Sequence, residues 1–174
     1  MSKSGIFVLK IALIRRDDAE INRLIDCGAD VNKLDHRGRN LLHIAINMSS
    51  SSADATFETE QLLIDRGVNI NARDVRGRVP LHYAFVKMQN YKDSSAIDPI
   101  ESVSSLCACK NLEIEVVDKW QKTPLHYAAQ RSATISSLYI LQRGAQLESK
   151  DIYGNTPLGI ALMHNHFNYG IILI

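Results

Sequence analysis

The sequence predicts an all-α architecture of stacked helix pairs, and three observations carry that prediction. A short block recurs four times along the chain, beginning at Asp35, Asp74, Asp118 and Asp151. A glycine stands seven residues before three of those aspartates, at Gly28, Gly67 and Gly144. Between these landmarks the apolar residues fall three and four apart, the spacing that gives a helix one buried face. Self-similarity at a period of roughly 20–50 residues marks a solenoid, in which no unit buries its apolar face alone.

The elements follow in order. Lys3 and the apolar run from Ile6 to Ile14 imitate the start of a secretory signal. Lys10 splits that run, however, and Arg15, Arg16, Asp17 and Asp18 stand where a cleavage site needs small residues, so the segment reads as a folded helix. The next helix turns Ile21, Leu24 and Ile25 toward a shared core and stops at Gly28. In each recurring block the aspartate is followed by a leucine (Leu42, Leu81, Leu125, Leu158), and three residues beyond it by an alanine (Ala45, Ala84, Ala128, Ala161). Thr123-Pro124 and Thr156-Pro157 place a hydroxyl cap before a proline at the first helical position, a strong helix start. Asn40 can cap in the same way, whereas Val79 cannot and should cost its unit ~1 kcal/mol at that helix end. The second helices carry Leu62 and Leu63, and then Leu138 and Leu141, toward the core. Seven residues before Asp118 stands Asn111, expected to cap its helix through a left-handed backbone as the glycines do.

Thr123 to His126, echoed in phase at a period near 33, the Gly28 to Asn32 link and the Asp-x-x-Gly turns together resemble the ankyrin repeat family. The resemblance covers nearly the whole chain, as one domain over 1–174 with units of about 5–34, 35–73, 74–117, 118–150 and an incomplete 151–174. It implies an ankyrin-repeat solenoid in which each helix pair carries a projecting β-turn finger. It also implies a structural role for His43, His82 and His126, which would bond backbone groups of adjoining turns. Gly28, Gly67, Asn111 and Gly144 join them as structural residues. Gly159 takes the histidine's place in the last block, whose turn should be held less firmly.

The Asp-to-Asp intervals of 39, 44 and 33 residues place two insertions between the helices of a unit, near 48–55 and near 88–98. The first, a serine run, should be mobile. The second ends in Asp98, Pro99, Ile100 and Glu101, a capping-box arrangement that should restart a helix. Both are expected to be neighbouring surface loops without a function, a partner contact or phosphorylation site being the alternative. The chain stops on Ile171, Ile172, Leu173 and Ile174, three residues short of the next capping glycine. The expectation is an array that continues; the rival is a short product whose last helix is frayed or covered by a dimer contact.

Chemistry is sparse. Twenty basic against nineteen acidic residues give a net charge of +1, which argues against a surface that is basic throughout. Cys27, Cys107 and Cys109 fit no disulfide or zinc spacing and suit a cytoplasmic or nuclear protein. His164 and His166 lie near a helix end, where residues two apart do not share a metal. No phosphate-binding glycine loop, nucleophile elbow or membrane span occurs, so no catalytic residue, cofactor or metal is expected.

The resemblance implies that partners bind at the finger tips and at the outward positions of the first helix. Carried over, these are His36, Arg37, Arg39, Asn47 and Met48; Val75, Arg76, Arg78, Val86 and Lys87; Lys119, Trp120, Lys122, Gln130 and Arg131; and Ile152, Tyr153, Asn155, Met163 and His164. Eight of the twenty are basic and none is acidic. Many acids fall instead on second helices and links: Asp17, Asp18, Glu20, Glu58, Glu60, Glu101, Glu113 and Glu115. The expected function is a non-catalytic, monomeric protein-interaction module whose concave face binds an acidic or phosphorylated protein segment, with Trp120 and Tyr153 as anchors. The alternatives are a recruiting segment of a larger enzyme, such as a tankyrase-like poly(ADP-ribose) polymerase, and direct binding of nucleic acid or another polyanion.

Overall fold

The computed structural model describes residues 4–49, 57–86 and 98–173. Five helix pairs run along it: α1 (Ser4–Arg15) with α2 (Asp18–Asp26), α3 (Leu41–Ser49) with α4 (Phe57–Asp65), α5 (Pro80–Phe85) with α6 (Ile100–Ala108), α7 (Pro124–Arg131) with α8 (Thr134–Gln142), and α9 (Pro157–Met163) with α10 (Phe167–Gly170). A 3₁₀ turn over Ile171–Leu173 follows. The first helices α1, α3, α5, α7 and α9 pack in a row, and α4, α6 and α8 stack behind them. Lys87, the serines from Ser50 to Ser52 and the insertion over 88–97 lie outside the described residues.

The recurring leucines and alanines explain the close stacking. Leu42, Leu81 and Leu125 are buried, and Ala45, Ala84, Ala128 and Ala161 keep first helices near one another because a methyl group needs little room. On the second helices Ile21, Leu63, Leu106 and Ile140 are buried. Leu138, expected in the core, is exposed. The buried line of α8 runs through Ala133, Ser136, Ser137 and Ile140, and Leu138 is displaced from it around the helix. Serine occupies the core there because its hydroxyl is satisfied locally: Ser137 Oγ donates to the Ala133 carbonyl at 2.7 Å and pairs with the Tyr169 hydroxyl at 2.6 Å.

Helix ends show a second departure. After α2, α4 and α8 the chain turns left-handed at Gly28, Gly67 and Gly144, and the next amide bonds back to Leu24, Leu63 and Ile140. Asn111 does not do this; it is absent from the positive-φ residues, and α6 ends earlier at an extended Cys109. The orphan carbonyls at that end are instead taken by Arg143 of the following helix pair, whose guanidinium donates to Cys107 at 2.8 Å and Cys109 at 3.2 Å. A cap supplied across the repeat removes the need for a left-handed residue.

Asp98 likewise serves another unit than the one expected. α6 starts at Ile100 without a side-chain cap, while the Asp98 carboxylate accepts the Ile135 amide at 2.8 Å and the Ser136 hydroxyl, at the start of α8. The uncapped Val79 is fully buried, and its amide donates to His82 Nδ1 at 3.2 Å, as the amides of Asn40 and Thr123 do to His43 and His126.

A polar ladder joins the turns behind the second helices. Asn32 accepts the Asn69 amide at 2.6 Å and donates to the Gly67 carbonyl at 3.2 Å. Asn71 accepts the Glu113 amide at 3.0 Å and donates to the Asn111 carbonyl at 2.7 Å.

Candidate functional site

Each finger is built from one aspartate. Asp35 Oδ1 accepts the amides of Arg37 at 2.8 Å and Arg39 at 3.0 Å, and its own amide donates to the Arg39 carbonyl at 2.8 Å. Asp74, Asp118 and Asp151 repeat the pattern. At the turn Gly38 is left-handed at φ 73, where a Cβ would meet Val75 N at 3.0 Å. Gln121 holds the same turn position at φ 55 despite its side chain. Successive fingers bond edge to edge: Val75 N to Arg37 O at 2.9 Å, Lys119 N to Arg76 O at 2.9 Å and Ile152 N to Trp120 O at 3.0 Å.

The histidines tie fingers to helices. The Nε2 atoms of His43, His82 and His126 lie 3.1, 3.0 and 3.1 Å from the carbonyls of Arg78, Lys122 and Asn155, each in the finger of the next unit. A carbonyl only accepts, so Nε2 carries the proton. Burial drives His43 and His82 down to about 4, which keeps both neutral. The last finger is therefore held by His126 and Asp151, while Gly159 has no ring nitrogen to offer the Thr156 amide, the bond that the histidines make to the amides of Asn40, Val79 and Thr123 in their own units. The histidine of a unit serves the finger after it.

Among the predicted surface residues, His36, Arg37, Val75, Arg76, Lys119, Ile152 and Tyr153 are exposed, and Trp120, Lys122 and Arg131 are half-buried. Arg39 and Arg78 belong to the turns. Each makes a two-pronged ion pair with its own aspartate, at 3.0 and 2.8 Å, and Arg78 also reaches the Tyr83 hydroxyl at 3.0 Å. Burial opposes the charge on Asp35, yet Arg39 and the finger amides hold its carboxyl at about 2. The aspartate four residues before each arginine was the signal for this pairing, since those residues meet across a tight turn. Tyr83 and Tyr127, unsuspected from the sequence, donate to Asp74 at 2.8 Å and Asp118 at 2.6 Å. At the tips the Arg76 guanidinium lies 5.7 Å from the Trp120 ring centre.

Comparison with known proteins decides the family. A family model of ankyrin repeats in three copies matches residues 9–94 and 93–174. The chain belongs to the ankyrin repeat family. A poly [ADP-ribose] polymerase tankyrase of Caenorhabditis elegans is 34% identical over 142 residues, which are 79% of this chain and 6% of that protein. An ankyrin repeat protein of Rickettsia bellii (strain RML369-C) is 30% identical over 156 residues, 90% of this chain and 19% of that one. The chain thus spans less than two thirds of the length of either curated relative. Ankyrin repeats make it a protein-interaction module, of a kind that is generally non-catalytic.

The rest of the ankyrin surface carries less chemistry. Asp17, Glu58, Glu101, Glu113 and Glu115 are exposed away from the fingers, whereas Glu60, counted from sequence among the acids of second helices and links, is buried and accepts the Ser102 hydroxyl at 3.0 Å. Its position on α4 faces α6, which sequence spacing alone did not reveal. His164 and His166 stack 6.0 Å apart, and His166 Nε2 sits 3.2 Å from the Gln130 carbonyl. Burial raises the Cys107 thiol to about 11. Among the described residues no group of three or more metal-ligating side chains occurs and no helix is long and apolar enough to cross a membrane.

Proposed function

We propose that the finger face binds an acidic or phosphorylated segment of a protein partner, as a monomeric module of the cytoplasm or nucleus. One observation carries this reading: among the described residues Arg37, Arg76 and Lys119 are exposed on three consecutive fingers without an ion pair, while Arg39 and Arg78 are neutralised beneath them. The free charges sit at the tips, where a ligand carboxylate or phosphate takes several donors at once. Trp120 and Tyr153 supply large faces on the third and fourth fingers, with His36, Val75 and Ile152 on the same surface. Lys122 and Arg131 border this surface; Arg39 and Arg78 act by holding the fingers in shape. Lys87, also expected to bind, lies outside the described residues.

The test is titration of a glutamate-rich and a phosphoserine peptide, followed by anisotropy, against an RNA oligonucleotide as competing polyanion. Arg37→Glu with Arg76→Glu and Lys119→Glu should abolish peptide binding, and Trp120→Ala should weaken it by ~2 kcal/mol. Unchanged binding in both variants, or preference for the RNA with a steep salt dependence, overturns the proposal. The 34% identity to tankyrase supports a second reading, in which the array recruits substrate for a catalytic domain in a longer protein. The full reading frame tests it.

A further inference from the structure

We infer that the fingers take their ligand as a polyproline II segment, with acidic side chains opposite Arg37 and Arg76 and prolines opposite Trp120 and Tyr153. This rests on the reading of the fingers as the partner-binding face. The four residues hold the same position on consecutive fingers, two after each aspartate. Each finger has two backbone arms, closed by the Asp74 amide on the Arg78 carbonyl at 2.9 Å and its equivalents, and each is bonded to the next finger by one amide, as Lys119 N is to Arg76 O at 2.9 Å. One finger therefore follows another after two hydrogen-bonded backbone spacings, or about 9.5 Å.

A polyproline II helix has three residues per turn and rises about 3.1 Å per residue, so every third side chain faces the same way after about 9.3 Å. The mismatch is ~0.2 Å per finger and stays under ~1 Å across four. Three residues of β-strand cover about 10 Å but put the third side chain on the opposite face. An α-helix returns to the same face every three or four residues, or about 5.4 Å, and its return nearest the finger spacing comes after seven residues and about 10.5 Å, with a drift of ~20° each time. The finger arms are already paired with one another, so they offer little to a strand needing ladder partners. Polyproline II needs none, because its backbone stays solvated.

The side chains fit the same ligand. Two basic tips precede two aromatic tips, and aromatic faces are what proline-rich segments dock against. Arg76, 5.7 Å from the centre of the Trp120 ring, sits where the acidic and proline halves of the ligand meet.

The experiment compares labelled peptides in both chain directions: two glutamates and two prolines at successive three-residue steps, the same residues at two-, four- and seven-residue steps, and the three-residue register in a glycine host. In one direction the three-residue, proline-rich peptide should bind at least tenfold tighter than the other registers and than the glycine host. Trp120→Ala should remove the advantage of the prolines while register-dependent recognition of the acids remains. Equal binding of all registers, lost in Arg37→Glu with Arg76→Glu, overturns this inference and leaves the acidic-segment reading standing. Best binding by the peptide with seven-residue spacing also overturns it. Binding by no peptide overturns both.

Discussion

Two ladders stitch the repeats together, and they are built on opposite rules. Under the fingers, His43, His82 and His126 each reach a carbonyl of the following unit from a fully buried site. Behind the second helices, Asn32 and Asn71 do the same work at an exposed or half-buried edge. The buried ladder uses one residue type in three consecutive units, because a donor there has no water to replace it. The edge ladder changes chemistry: in the next unit Glu115 accepts the Gln146 amide at 3.0 Å, and since a carboxylate cannot donate, Gln146 Nε2 serves the Gly144 carbonyl at 3.1 Å. Burial thus fixes identity where exposure permits substitution.

Acid should break the comparison most strongly. Burial drives His43 and His82 from 6.5 to about 4, so between those values the unfolded chain binds protons that the folded chain refuses. Stability is then fully present above pH 6.5 and falls as pH drops toward 4, by up to about 3 kcal/mol for each of these histidines. Asp35 acts in a lower window: its carboxyl, held at about 2, contributes stability that is lost only as pH falls from 3.8 through 2. Urea unfolding followed from pH 8 to pH 4 should show a falling midpoint already below pH 6.5. A flat midpoint down to pH 4 contradicts the neutral, buried assignment.

His82→Ala comes next. It strands the Lys122 carbonyl and the Val79 amide and leaves a void, for a loss of about 3 kcal/mol. Amide exchange should rise selectively in the finger from Asp118 to Lys122, since that is the turn His82 holds. Exchange rising in the finger from Asp74 to Arg78 instead would return the histidine's role to its own unit.

How far the sequence disclosed this molecule follows the same division. The helix pairs and the stacking residues were legible because they rest on patterns local to a unit: a threonine cap before a proline, a leucine followed three residues later by an alanine, a capping glycine. Whatever crosses between units was not. Arg143 replaces the cap expected of Asn111, and Asp98 caps α8 rather than its own helix. Asp98 read correctly as a capping residue, but spacing along the chain does not say which helix it reaches. The candidate site was legible as a list of positions. Its charge was not, because Arg39 and Arg78 are consumed by aspartates that the same motif supplies.

At the edge ladder the effects should be smaller. Asn71→Ala loses two hydrogen bonds in a partly hydrated place, for about 1 kcal/mol, and Asn71→Asp should cost less because it still accepts from the Glu113 amide. Chemical denaturation of the two variants measures the difference, and equal losses would mean that the donor half of the pair matters more than the acceptor half.

Glu115→Gln should have the smallest effect and sharpens the contrast most. Its two oxygens accept from the Gln146 amide and the Ser149 hydroxyl, each at 3.0 Å. An amide keeps one acceptor, and its NH₂ group meets a hydroxyl that accepts as readily as it donates. The carbonyl an asparagine would serve is already taken by Gln146 Nε2. The expected change is within ~0.5 kcal/mol in a urea titration, as for other exposed substitutions. A loss as large as that of Asn71→Ala would show that the charge of Glu115, rather than its place in the ladder, holds the fourth unit's turn.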